Sequence, residues 1–159
     1  MRVEYINPFV EAAFNVLKEV LNTDVKRGDL YLKSSTMQIM GVAALVGLAG
    51  DVEGRVLFDM TKDTALAVAS GMNNEEMKVL DDMVKATITE LANMITAQAV
   101  TKLHDLGFKF DLTPPALFTG DNMEISNNLE VEALIVPMEI GPGGKKGKVE
   151  INVVIRERT

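Results

Sequence analysis

A carboxylate and a carboxamide one helical turn apart, Glu90 and Asn93, are the side chains of this sequence best suited to do chemistry. Asparagine does not titrate and so is no general base, but its amide can donate to and accept from one water molecule and hold it in a chosen direction. Glu90 can pair with a lysine on a partner surface. Such a pair suits a hydrolysis in which the substrate already carries the electrophile and the metal, and the protein adds an oriented water.

Spacing alone does not select this pair, because Glu-x-x-Asn also occurs at Glu4/Asn7, Glu19/Asn22 and Glu124/Asn127. Context does. Glu4/Asn7 is expected before the first helix, Glu19/Asn22 at a fraying helix end and Glu124/Asn127 in a loop. Leu80 to Leu106 instead reads as one long helix, in which Leu80, Val84, Ile88, Leu91, Ile95, Ala99, Leu103 and Leu106 recur at helical spacing and form the side to be buried. Glu90 and Asn93 project away from that stripe. Ala86 and Ala97 precede and follow them on the same outer line, with Met94 alongside. Between Lys85 and Lys102 the one charged residue is Glu90, so this face is built to be covered, whether by a partner, by another element of the chain or by a second subunit.

Other chemistries find little support. His104, the only histidine, falls in the last turn of the long helix, where an imidazole interacts favourably with the carbonyl end. With no cysteine and no second histidine, a zinc site is not expected. The run GPGGKKG, Gly141 to Gly147, lacks the strand-to-helix context of a phosphate-binding loop and reads as a hairpin connection. Asp81 and Asp82 suit the positive end of the long helix, and the scattered methionines read as packing material.

The remaining elements must present that helix. Asn7 as N-cap and Pro8 in the first turn predict a core helix to about Asn22. Thr23 to Lys33 predicts a short strand or hairpin around Gly28-Asp29. Met37 to Ala49 and Val52 to Met60 predict two strands joined at Gly50-Asp51. Thr61 caps a second helix that Gly71 ends, and Asn73 with Glu76 predicts a capping pair for the long helix. After Gly107, Phe108, Phe110 and Leu112 alternate until Pro114-Pro115 breaks the strand or confines it to an edge. Leu129 to Glu139 and Lys148 to Arg156 predict the last two strands. The fold class is α+β: a largely antiparallel sheet of about six strands backed by helices, as one domain over 1–159, with a core helix followed by strands in each half.

A chain of 159 residues with 47% apolar and 25% charged side chains can bury a proper core. Its formal charge of -7 argues against nucleic acid and anionic membrane as partners and favours basic surfaces. The apolar run Val42 to Ala49 is too short to span a bilayer, and the N-terminus lacks a signal-type segment, so a cytoplasmic protein is expected.

The run ITELANMITAQAV, the DLTPP downstream of it and DVEGRVLFDMTKDTALAVASGM ahead of it resemble the CheC/CheX/FliY phosphatases of bacterial chemotaxis, and the single-site CheX type most of all. The most specific part of the resemblance is Glu90, Asn93 and Pro115 in one register. It implies that the motif-bearing helix docks on a phosphorylated CheY-type receiver, where Glu90 engages a receiver lysine and Asn93 positions the attacking water. It also implies that Ala86, Met94, Ala97 and Pro115 line the contact, that the protein holds no cofactor of its own while Mg²⁺ stays on the receiver, and that the protein is a homodimer. Ala86 departs from the family pattern, which often has Ser or Asp there. A non-catalytic receiver-binding or scaffold module is the alternative. A structural flagellar-switch component is a third reading, for which a further assembly domain would be expected.

Overall fold

The computed structural model describes residues 3–33, 36–126 and 131–157. Three α-helices lie on one face of an eight-stranded sheet in which every pairing among the described residues is antiparallel, as the neighbouring strand pairs in the sequence imply. The strands are β1 (Val25–Arg27), β2 (Tyr31–Lys33), β3 (Thr36–Gln38), β4 (Val42–Gly50), β5 (Val52–Met60), β6 (Phe110–Leu112), β7 (Ala116–Thr119), β8 (Glu124–Ser126), β9 (Ala133–Ile140) and β10 (Gly147–Glu157). The sheet order is β1-β9-β10-β5-β4-β6, with β2 also on β9 and β7 also on β4, while β3 and β8 form a separate two-stranded sheet.

Helix α1 (Val3–Leu21) seats Phe9, Ala13, Val16 and Leu17 in the core. It begins ahead of the expected Asn7 cap and carries Pro8 inside. The missing N–H falls in the second turn, close enough to the helix end to be tolerated. Helix α2 (Lys62–Asn73) starts as expected on Thr61, whose hydroxyl accepts from the Thr64 N–H at 3.1 Å. It does not stop at Gly71. Asn74 ends it in the left-handed region at φ 51°, whereas Gly71 is a point of close approach at which a Cβ would stand 2.8 Å from Leu21 Cδ2.

Helix α3 (Asp82–Asp105) is the long helix. The expected Asn73/Glu76 capping pair is wrong, because Asp81 takes that place and accepts from the Val84 N–H at 3.0 Å. Asn73 is the last residue of α2, and its amide donates to Thr87 Oγ1 at 2.9 Å, tying α2 to α3. Leu80 lies before the helix, and Leu106 is its C-cap and 60% exposed. The six stripe residues between them, from Val84 to Leu103, are all buried.

Thr23 to Lys33 is not a hairpin, since β1 and β2 run one after the other along β9. The expected strand from Met37 divides: Met37 joins β3, and β4 begins at Val42 after Gly41, whose φ of +141° turns the chain. Pro114-Pro115 breaks an edge strand as expected, into β6 and β7, both on β4. The fragments β7 and β8 had no periodic signal in the sequence. Of the expected strand Leu129 to Glu139, residues 129–130 lie outside those described. In β10, Val149 to Ile155 is buried on both faces, because the helices cover one side and the β3/β8 pair lies over the other.

The echo between the halves is an internal two-fold. In element order, α1 to β5 repeats as α3 to β10, and β5 pairs with β10 at the centre. The edges match in detail. Arg27 to Tyr31 spans Met138 to Ile135, and Leu112 to Ala116 spans Leu48 to Leu45, so each edge holds one extra residue. At these bulges the Gly28 N–H donates to the Pro137 carbonyl at 2.9 Å and the Thr113 N–H to the Gly47 carbonyl at 3.0 Å.

Candidate functional site

The buried stripe of α3 fixes what its other side presents. Val84, Ile88, Leu91, Ile95, Ala99 and Leu103 sit in the same core as Val46, Phe58 and Val136 of the sheet, and each fully buried Ile or Leu stabilises by about 1.5–3 kcal/mol. Rotating the helix to cover its outer flank would forfeit several such burials. Glu90 and Asn93 are therefore held in solvent, as are Ala86 and Ala97, while Met94 is half-buried. Pro115 is half-buried in the bulge between β6 and β7. That bulge flanks α3, which packs against β4 and β7. Five of the sequence-selected residues thus share one helix flank, and Pro115 belongs to the neighbouring edge.

Glu90 and Asn93 make no side-chain hydrogen bond or ion pair among the described residues, so their polar atoms are uncommitted. Their surroundings are stripped of competing polarity. The hydroxyls of Thr87, Thr89, Thr96 and Thr101 all donate back to carbonyls one turn earlier, those of Met83, Lys85, Ala92 and Ala97, at 2.6–3.0 Å. At its far end the helix is pinned by Lys102, which pairs with Glu11 of α1 at 2.6 Å.

The other Glu-x-x-Asn matches separate by position. Asn22 follows the end of α1 with φ 47°, and Asn127 lies outside the described residues. Glu4 and Asn7, expected ahead of the first helix, instead stand exposed on α1 itself. One constant shift in numbering brings Glu4 onto Glu90 and Asn7 onto Asn93, and with them Tyr5, Phe9, Ala13 and Leu17 onto Leu91, Ile95, Ala99 and Leu103, all buried. The two-fold thus relates two acid–amide pairs, a relation the sequence reading missed by starting α1 too late. Their flanks differ: one turn beyond Asn93 comes Ala97, and one turn beyond Asn7 comes the ion-paired Glu11.

A second polar group lies on the opposite face of the sheet. Asp59 accepts from the Met40 N–H at 3.0 Å, and burial pushes its carboxyl up to about 6. Beside it the Tyr31 hydroxyl donates to the Glu150 carboxylate, and burial, then that hydrogen bond, raise the phenol well above its ordinary value. These groups lie on the sheet face opposite the helices. Among the described residues no three His, Asp or Glu side chains gather as a metal-binding group, and no helix is long and apolar enough to cross a membrane.

The α+β architecture is that of the CheC-like proteins. Residues 42–139 match the family model for the chemotaxis phosphatase CheX, and the chain belongs to this family. It is 48% identical to a chain in the CheX–CheY–BeF3–Mg²⁺ complex of Borrelia burgdorferi, covering 98% of this chain and 100% of that one with a TM-score of 0.84. The CheY-P phosphatase CheX of Thermotoga maritima is 27% identical over 128 residues, 80% of this chain and 83% of that protein. A Vibrio vulnificus protein named for a proposed mimicry of double-stranded DNA is 32% identical over 74 residues, 46% of this chain and 70% of that one.

Proposed function

We propose that this protein hydrolyses the aspartyl phosphate of a CheY-type receiver, with Asn93 positioning the water and Glu90 engaging a receiver lysine. The observation that carries the reading is an acid and an amide, uncommitted within their own chain, on an open flank of a rigidly packed helix. The receiver brings the acyl phosphate and its Mg²⁺. The Asn93 amide accepts from the incoming water and fixes its lone pair towards phosphorus. As the water oxygen bonds to phosphorus, the bond to the aspartyl oxygen breaks, the receiver's aspartate carboxylate is regenerated, and inorganic phosphate leaves with the water's protons distributed between phosphate and solvent. The Glu90 carboxylate supplies orientation rather than proton transfer. Ala86, Met94, Ala97 and Pro115 let the receiver approach the pair. A homodimer in the cytoplasm belongs to the same proposal, and sedimentation velocity tests the dimer.

Phosphate release from a phosphorylated receiver is the test. Asn93→Ala lowers turnover by about 10²-fold or more, the usual loss for one positioned polar group, with binding largely retained. Glu90→Lys abolishes association by charge reversal. If the non-catalytic alternative holds, Asn93→Ala leaves the phosphate lifetime unchanged while Glu90→Lys still removes binding. Mimicry of DNA needs regularly spaced negative charge, and this flank offers Glu90 alone between Lys85 and Lys102.

A further inference from the structure

Two large apolar side chains stand in water N-terminal of the acid–amide pair: Val79, 65% exposed, and Met83, 57% exposed. Met83 lies two turns N-terminal of Glu90 and within about 20° of it around the axis, so one line of side chains runs from Met83 through Ala86, Glu90 and Asn93 to Ala97 over about 20 Å. Val79, in the connection between α2 and α3, borders the same cleft as Met83.

The connection is pinned, so this exposure is imposed by the backbone. The Glu75 N–H donates to the Ser70 carbonyl at 3.2 Å and the Met77 N–H to Ser70 Oγ at 2.8 Å. The Asp81 N–H turns back onto the Val79 carbonyl at 2.8 Å before Asp81 caps α3. With these bonds in place, Met77 and Leu80 face the core and Val79 and Met83 face out. They border an open cleft of about 300 Å³ whose rim holds Glu75, Glu76, Lys78 and Asp81. Lys78 stands 3.9 Å from Glu76, and Asp82 is also exposed, so the rim is acidic overall.

We propose that Val79 and Met83 are the apolar anchor of the receiver-docking surface, and that they fit a receiver face carrying an apolar side chain ringed by lysine or arginine. This rests on the phosphatase reading above and adds its specificity contact. Met83 is about 15 Å from Asn93 along the helix, too far to sense the reacting phosphorus. Its contribution is therefore the same in the ground state and the transition state, and it appears in KM and not in kcat.

The test uses the double variant Val79→Ala/Met83→Ala, with CheY of Borrelia burgdorferi as the probe, either loaded with beryllofluoride and Mg²⁺ for titration or phosphorylated for turnover. Kd and KM rise together by about 10- to 100-fold, the range for truncating two buried apolar side chains, and kcat stays within about twofold. Leu106→Ala, which truncates an equally exposed leucine at the other end of α3, changes neither. A wild-type Kd in the double variant overturns the inference and leaves the phosphatase reading standing if Asn93→Ala still loses turnover. An equal loss in Leu106→Ala, or dissociation of a dimer with Kd unchanged, also overturns it. Wild-type protein that neither binds the loaded receiver nor releases phosphate removes the phosphatase reading and the anchor with it.

Discussion

Ala97 can be used to ask whether the bare flank, rather than the acid–amide pair alone, is what a receiver needs. Replacing it with glutamate builds into α3 what α1 already has one turn beyond Asn7, an exposed carboxylate at Glu11. Four residues separate Ala97 from Asn93, so the new charge stands about 6 Å along the helix from the amide. On the proposed reading it faces the receiver's phosphoryl group. Two negative charges about 6 Å apart repel by about 3 kcal/mol at an effective dielectric near 20, which is roughly a hundredfold in KM. Ala97→Gln adds similar bulk without charge and separates sterics from electrostatics. Both substitutions fall at an exposed helix position, where the cost to stability is a few tenths of a kcal/mol. Phosphate release at several salt concentrations is the assay. The Glu variant should show a KM about 10²-fold above the Gln variant, and the gap should narrow as salt is added. Equal KM values for the two variants would refute the argument that the phosphoryl group lies beside Ala97.

Two further outcomes probe other parts of the fold. Asn7→Ala should leave turnover within about twofold of wild type in the same assay, because Glu11 and its partner Lys102 crowd the α1 flank and one amide is not enough without open ground around it. Asp59, 1% exposed, has its carboxyl pushed up to about 6 by burial, with the charge of Glu150 adding and the Met40 N–H opposing. The folded chain therefore holds that proton more tightly than the unfolded one, so this contribution to stability is complete below about pH 4 and is lost as pH rises through about 6. Asp59→Asn should flatten the stability profile across that window, as read by urea unfolding at a series of pH values.

The long helix and its outward pair were legible because a stripe of period 3.6 needs no tertiary information. Its first residue was not. Asn73 and Glu76 match a capping box in sequence, but Asn73 was already committed to the end of α2 and to Thr87, so the cap passed to Asp81. The α1 boundary was misread for a related reason. Pro8 is best suited to a first turn, yet Tyr5 and Ile6 are buried, and the apolar area gained by extending the helix backwards outweighs one lost hydrogen bond. Fragments of three or four residues such as β2, β3, β7 and β8 carry too little periodicity to be seen. Their partners are distant in sequence, as in Thr36 on Ser126. Val79 and Met83 gave no signal because an exposed apolar residue is unremarkable until its neighbours in space are known.

The internal two-fold explains how one fold can hold two acid–amide pairs of which one is proposed to act. Packing constrains only the buried faces: Phe9 and Leu17 fill on α1 the places that Ile95 and Leu103 fill on α3, and the core accepts either set. The outer flanks are under no such constraint. That of α1 carries Glu11, Asn15 and Lys18, the ordinary polar dress of a surface helix. That of α3 carries Ala97, Thr101 and His104 at the corresponding places, and its threonine hydroxyls are folded back onto the backbone. The bareness of α3 fits the docking surface proposed for it, and the Glu-x-x-Asn spacing becomes informative only where that bareness accompanies it.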